Sequence, residues 1–394
     1  MDEEQQVSVT AAGPEDWRTY QALAERSYGH PVPDLELLRP HADARVGVRE
    51  GRIVAGGLGL MVPQMFGGRP VPSVCLASGS VAPEERGSRL TVRMLAERIR
   101  PLREQGAVLA AVWTTSTGYA HRLGWAAPAQ VFSWSVPTDQ LRAAFTTGAF
   151  EITHGPYQDV AALQHQLAGQ WNGPWQRPQW WDGWQQQTHP QLAHYRAHDR
   201  DGRTAGFVSL AFDRDQQGER QVVVHDFWAS GAASATALLG FLGRFHSRIP
   251  TVAFQRTALP PGAELLEQLH RAGSAHARHW HPWMLRILDP AEAVRLRGWP
   301  SHLTADLPLT ISEDTGRPRA YTLCIDGGKG RLLPSSQHPA GACTMTMRQL
   351  AVWYAGGYRT ATSAALAGVD GTREAVTSLV AVTSDREPWL TEYF

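Results

Sequence analysis

Apolar positions change their period along the chain, and each change marks an element. After Gly13-Pro14, the stretch EDWRTYQALAERSY places Trp17, Tyr20, Ala24 and Tyr28 near one face. That spacing, with proline in the first turn and acids just after it, predicts a helix. ARVGVREGRIVAGGLGLMV holds two apolar runs around Glu50-Gly51, which predicts a β-hairpin. Val74 to Val81 reads as a strand. From Leu90 the apolar residues fall at Leu90, Met94, Leu95, Ile99 and Leu102, a helical period, and Ala107 to Thr115 reads as a buried strand.

The same order returns about 150 residues later. RDGRTAGFV, from Arg200, echoes REGRIVAGG, from Arg49. VVVHDFWAS (Val222 to Ser230), a helical ATALLGFLGRFH and an extended TVAFQ follow. Between the copies, WNGPWQRPQWWDGW is rich in Pro and Gly and reads as a loop. Its tryptophans offer large faces for packing or for a cationic group. Beyond residue 285, strand, helix and paired-strand patterns alternate, as in PWMLRILDPAEAVRLRGWP and RAYTLCIDGG, and QLAVWYAGGY reads as a helix.

Composition narrows the class. The 394 residues carry 43% hydrophobic and 19% charged side chains, which supports real cores and two or three domains. Formal charge is zero and no basic stripe stands out, which argues against a nucleic-acid partner. Cys75, Cys324 and Cys343 are too few and too scattered for a disulfide framework or a zinc motif. His276, His279 and His281 fit no defined metal spacing, so no metal is expected. With no signal-like start and no apolar run of about 18 residues, the expectation is a cytoplasmic protein without a membrane partner.

The candidate chemistry lies where the Val74–Val81 strand runs through PEERGS into the helix at Leu90. Free N–H groups at a helix start attract anions, and the arginines there add charge-assisted bonds. Gly79 inside the strand marks a possible bulge that would splay it from its neighbour. An ordinary strand-to-helix turn is the alternative reading.

The hairpin, SVAPEERGSRL, the helix and strand after it, and TGYAHRLGW together resemble the Gcn5-related N-acetyltransferase (GNAT) fold. That resemblance implies acetyl-CoA as the acyl donor. Gly79 and Val81 would pair with its pantetheine arm, and Arg86, Gly87, Ser88, Arg89 and Leu90 would form the pyrophosphate turn. Tyr119, in Tyr119-Ala-His-Arg-Leu-Gly-Trp125, would be the general acid toward the leaving thiolate. The family's R-x-x-G-x-G/A glycines are Arg89 and Thr91 here. The second copy lacks the V-x-P-x-x-R turn.

Two GNAT-like copies, a third region similar to sterol carrier protein 2 and the aromatic end DREPWLTEYF resemble the Eis-type (enhanced intracellular survival) acetyltransferases. The implied class is α/β (α+β), with mixed central sheets. The expected domains are a cofactor-binding GNAT domain at 1–138, a second without the cofactor motif at 139–285 and an SCP2-like domain at 286–394. The resemblance also implies a hexamer, a small-molecule amine acceptor such as an aminoglycoside, a polyamine or a lysine side chain, and a catalytic α-carboxylate at Phe394. Asp34, Glu36, Glu392 and Tyr393 are candidate acceptor contacts; the acidic residue often found just before the last aromatic is Tyr393 here, with Glu392 one step earlier. Two other readings stay open: a non-catalytic protein that binds acyl-CoA or lipid, and a Fem-like transferase that uses aminoacyl-tRNA.

Overall fold

The computed structural model of the chain describes residues 7–87, 89–261, 267, 269–270, 273–312, 317–336 and 341–394. Two compact units emerge: Met1–Pro128 with Trp283–Arg386 and Tyr393–Phe394, and Ala129–Pro282 with Glu387–Glu392. The strand at 283–287 and the last two residues belong to the first unit, although they follow residues 129–282 in sequence.

The first unit begins with β1 (Ser8–Ala11), α1 (Asp16–Tyr28), β2 (Ala42–Arg49) and β3 (Arg52–Met61). A small hairpin of β4 (Gln64–Phe66) and β5 (Arg69–Val71) leads into β6 (Ser73–Val81), α2 (Leu90–Glu104), β7 (Leu109–Trp113) and α3 (Thr117–Arg122). The helix predicted from Gly13-Pro14 is α1. It ends at Gly29, whose φ of 76° suits a residue without Cβ. The hairpin turns at Glu50-Gly51, both at positive φ.

The second unit contains β8 (Val131–Pro137), α4 (Thr138–Ala144), β9 (Glu151–Gly155), α5 (Gln158–Ala168), α6 (Trp180–Thr188), β10 (Ala193–His198), β11 (Thr204–Arg214), β12 (Arg220–Ala229), α7 (Ala232–Gly243), β13 (Thr251–Phe254) and β14 (His276–Trp280). The chain then re-enters the first unit with β15 (Trp283–Ile287), α8 (Pro290–Leu296), β16 (Ala305–Ser312), β17 (Arg319–Asp326), β18 (Lys329–Ser335), β19 (Cys343–Thr346), α9 (Met347–Tyr354), α10 (Ala361–Leu366) and α11 (Arg373–Ala381).

The large sheet of the first unit runs β1-β2-β3-β6-β7-β15, and that of the second runs β14-β8-β13-β12-β11-β10-β9. Each has a single parallel pair, β6 with β7 and β12 with β13, crossed over by α2 and α7 respectively. The internal echo in the sequence is therefore a repeat of hairpin, strand, helix and parallel strand. β15 completes the first sheet antiparallel to β7, although it follows residues 129–282 of the second unit in sequence. Val74, Leu76, Ile99, Leu102, Trp125 and Met284 share one buried cluster in the first unit. Full burial of such side chains contributes about 1.5–3 kcal/mol each. The C-terminal region adds a separate sheet in the order β18-β17-β16-β19.

One expectation is corrected within the second unit. Trp180–Thr188 of the tryptophan-rich stretch is helix, not loop. Pro178 lies before the first turn, where a missing N–H does no harm. Trp181 is buried against Trp175 and Trp184, with ring centroids 5.0 and 4.9 Å away, and burying so large a side chain contributes more than the roughly 1 kcal/mol that Gly183 costs a helix.

Both parallel pairs stop at the same relative place. β12 pairs with β13 only over Gln221–Val224, and His225 is then an extra residue opposite the Ser209–Leu210 step of β11. Burial, with His189 and Arg256 adding to it, pushes His225 down to about 4, against the pull of Asp226 and Asp213. The unfolded chain takes up this proton near pH 6.5 and the folded chain only near pH 4. Stability is therefore expected to fall as pH drops through that window. Urea midpoints at pH 7, 5 and 4 check it, with a flatter profile expected for His225→Gln.

Candidate active site

The first unit builds its candidate site from a mismatch between two strands. In the β3–β6 ladder, Gly56 faces Ser80 and Leu58 faces Ala77, so Gly57 alone opposes Ser78 and Gly79. The two-for-one count is a β-bulge, and Ser78 carries the cost at φ 49°. On the other edge, β6 pairs with β7 only from Ser73 to Leu76. From Ala77 onward β6 leaves β7, and the parallel strands open as a wedge. Gly79 and Val81 lie on the diverging segment, and the carbonyls of both accept side-chain bonds, from Tyr28 Oη at 2.7 Å and Ser27 Oγ at 3.3 Å.

The turn after β6 is exposed and carries positive charge. Its acids are held aside: Arg49 pairs with Glu85 at 2.7 Å, and Arg26 with Glu84 at 3.1 Å. Arg86 is exposed, with Nη2 donating to Ser27 O at 2.8 Å. Gly87 sits at φ 91°, and Ser88 lies outside the described residues. Arg89, at φ 59° and ψ 10°, is the N-cap of α2 and provides no side-chain cap. The position asks for a left-handed residue, which explains why glycine is the usual choice in the resembling motif and why arginine fits only with strain. Leu90 is buried as the first residue of α2. An exposed, uncapped helix start flanked by Arg86 and Arg89, next to a strand whose far edge is open, fits a pyrophosphate and an extended thiol arm.

Tyr119 stands in α3, which follows β7 after a short turn. Its ring lies beneath the Arg122 guanidinium at 5.9 Å, and its hydroxyl is shielded from solvent with no hydrogen-bond partner among the described residues. Burial raises its pKa, with Arg122 opposing. A phenol held protonated and unengaged is equipped to give a proton to a leaving group.

The end of the chain reaches this region. Tyr393 packs on Trp113, the last residue of β7, with ring centroids 5.6 Å apart. Burial pushes Tyr28 up to about 12; Arg98 opposes this and Tyr393 adds to it. Tyr393 thus stands near both arms of the wedge, Trp113 on one and Tyr28 with Gly79 on the other. Phe394 is half-buried beside it in sequence.

The proposed acceptor contacts are not all gathered there. Asp34 is exposed and caps a short 3₁₀ turn, its Oδ1 accepting from Glu36 N at 3.0 Å, and Glu36 pairs with Arg39 at 3.1 Å. Among the described residues, no hydrogen bond or ion pair joins either acid to Tyr119 or Tyr393. Glu392 is 1% exposed and belongs to the second unit. It accepts from Arg177 Nε at 2.7 Å and from Trp175 N at 3.0 Å, and Arg177 also forks onto Asp226 at 2.7 and 3.0 Å. The burial that enforces this ion pair leaves Glu392 as an anchor of the tail, not an open contact for an amine. Trp389 joins the anchor by packing on Trp228 at 4.6 Å and donating from Nε1 to Thr257 O at 2.7 Å.

Arg98, Tyr20 and Arg177 were missed in the sequence. The one signal for the first two is the run Gly56, Gly57, Gly59 in β3, small residues opposite large ones. Among the described residues, no three His, Cys, Asp or Glu side chains gather as a metal site.

Family models agree with this architecture. An acetyltransferase (GNAT) domain matches residues 8–127, a second GNAT domain matches 173–287, and a sterol carrier protein domain matches 290–391. The chain is therefore an acyltransferase of the GNAT class. It has the Eis-like arrangement, two GNAT domains in tandem followed by a sterol carrier protein domain. A GCN5-related N-acetyltransferase from Anabaena variabilis shares the fold at TM-score 0.83 and 20% identity, covering 99% of this chain and 100% of the other. A GCN5-related N-acetyltransferase from Kribbella flavida matches at 0.78 and 22%, covering 99% of each chain. Eis1 from Mycobacterium abscessus matches at 0.76 and 18%, covering 98% and 100%. No curated protein matches the chain. No helix among the described residues is long and apolar enough to cross a membrane.

Two outcomes follow from this geometry. Arg89→Gly relieves a left-handed arginine but adds backbone freedom to the unfolded chain, so stability should stay level or rise by up to about 1 kcal/mol in urea denaturation. Glu392→Ala leaves the buried Arg177 with one carboxylate fewer and should cost about 3 kcal/mol in the same measurement.

Proposed function

We propose that the protein transfers an acetyl group from acetyl-CoA to a primary amine of a small molecule. The observation that carries this reading is the wedge between β6 and β7, with an unengaged, protonated Tyr119 phenol beyond β7 and the aromatic tail packed at the wedge on Trp113. When bound, acetyl-CoA supplies an activated thioester. Arg86, Arg89 and the first N–H groups of α2 would hold its phosphates, and the open edge of β6 around Gly79 and Val81 would hold its pantetheine arm.

The α-carboxylate of Phe394 takes a proton from the acceptor's ammonium group, which frees the nitrogen lone pair. The amine nitrogen attacks the carbonyl carbon, the C–N bond forms and the C–S bond breaks. Tyr119 gives its phenolic proton to the departing sulfur; the excess proton on the acylated nitrogen returns to the Tyr119 phenolate through solvent, and the Phe394 carboxyl releases its own to bulk water. Direct attack needs no nucleophile from the protein. Tyr28 and Tyr393, both exposed, offer aromatic faces to a cationic amine. With Glu392 buried and Asp34 and Glu36 engaged locally, the acceptor region is more aromatic than acidic, which favours amines with an apolar body over densely charged ones such as aminoglycosides.

Thiol release from acetyl-CoA tests the reading, with full-length protein free of a C-terminal tag and a panel of aminoglycosides, polyamines, lysine peptides and arylalkylamines. Release that depends on an amine is expected. Tyr119→Phe should lower kcat by about 100-fold, the scale of general-acid catalysis. Deletion of Phe394 should lower it at least as far. Wild-type rates in both variants would refute the mechanism.

A further inference from the structure

The bulge in β6 is held by side chains from helices. A bulge strips backbone groups of their ladder partners, and those groups need substitutes. Here three consecutive carbonyls find them. Arg98 of α2 donates from Nη2 to Ala77 O at 2.6 Å, Tyr20 Oη donates to Ser78 O, and Tyr28 Oη donates to Gly79 O at 2.7 Å. Arg98 also reaches the facing strand, donating from Nε and Nη2 to Leu58 O at 3.2 and 2.5 Å. One guanidinium therefore pins both sides of the mismatch.

Arg98 is 3% exposed, and among the described residues the titratable groups that face it are the phenols of Tyr20 and Tyr28, with no carboxylate. Its polar neighbours are carbonyls and phenols, all neutral. Burying a charge against dipoles alone is unfavourable, and a packed apolar side chain of similar size would be cheaper. Yet the strands are cut to admit this cation. A Cβ on Gly57 would lie 2.4 Å from Arg98 Cζ, and one on Gly79 would lie 2.5 Å from its Nη1. A Cβ on Gly56 would strike the Tyr20 ring at 2.4 Å. Three glycines thus clear room for one arginine and one tyrosine under the bulge. Nη1, the arm that approaches Gly79, places positive charge next to the segment of β6 that has diverged from β7.

We propose that Arg98 is a positioning residue for acyl transfer: it keeps the β6 bulge in its split form and holds an unneutralised positive charge beneath it. When an amine adds to a thioester carbonyl, the C–N bond forms and the carbonyl π electrons move onto oxygen. A fixed positive charge in a water-poor site favours that oxyanion before the C–S bond breaks and the thiolate leaves. The inference rests on the acyltransferase reading above, and adds a role for a residue outside the phosphate turn, Tyr119 and the tail.

The test compares Arg98→Met, Arg98→Lys and Gly57→Ala in the full chain. Hydrogen exchange of the 77–81 amides and melting temperature need no activity; kcat and KM for thiol release do. In Arg98→Met, exchange at 77–81 should rise about tenfold or more, and kcat should fall about 10- to 100-fold with the KM for the amine little changed. Arg98→Lys should recover part of kcat through its charge, but not the exchange protection, because it lacks the planar fork. Gly57→Ala displaces the guanidinium without removing it, so it should reproduce the kcat loss even where Arg98→Met melts too low to assay. Wild-type exchange at 77–81 in Arg98→Met would overturn the proposal, and so would raised exchange with unchanged kcat. Absence of thiol release from wild type would instead defeat the acyltransferase reading, and exchange alone would then decide whether Arg98 holds the bulge.

Discussion

One extra residue in β6 governs the first unit. Ser78 and Gly79 must share the place opposite Gly57, and a strand that bulges there cannot follow β7 beyond Leu76. The open wedge and the unpaired edge follow from that count. The bulge persists because its carbonyls are answered by Arg98, Tyr20 and Tyr28, which transfer the constraint from the sheet to the helices α1 and α2. A flat ladder would leave a buried arginine without room, since Gly57 and Gly79 stand against its guanidinium.

The second unit repeats the device with different chemistry. β12 also stops pairing with its parallel neighbour just before a bulge, at His225. The region beyond is closed by the chain itself. Arg177 bridges Asp226 and Glu392, and Trp389 packs on Trp228. The same strand geometry thus hosts an open wedge in one unit and a filled one in the other. Charge complementarity between Arg177 and two carboxylates, well shielded from solvent, fixes the tail at Glu392. Packing against Trp113 fixes Tyr393 one residue later. Six residues of tail and then two more are claimed by different cores.

Much of this was legible in the residues. The period of apolar positions located α1, the β2–β3 hairpin, β6, α2 and β7, and the RDGRTAGFV echo located the repeat. Periodicity is local, and these elements lie in contiguous stretches. The turn at Arg86 to Leu90 was legible for the same reason. The strand status of Gly79 invited a bulge, because a glycine inside a strand has little other use. Trp180–Thr188 reads as loop from its local Pro and Gly, whereas its helix is held in part by the bond from Gln158 to Asp182, a partner 24 residues away that no local window displays.

The sequence by itself determined which segments could be strand or helix, where an anion could be met and that the tail had to be buried somewhere. Those are properties of neighbouring residues and their solvation. Only the tertiary structure decided that Glu392 serves Arg177, that β15 completes a sheet begun more than two hundred residues earlier, and that Arg98 lies under the bulge. Each depends on groups far apart in the chain that meet only after folding. Burial, which sets the cost of a charge and the pKa of a phenol, exists only once they do.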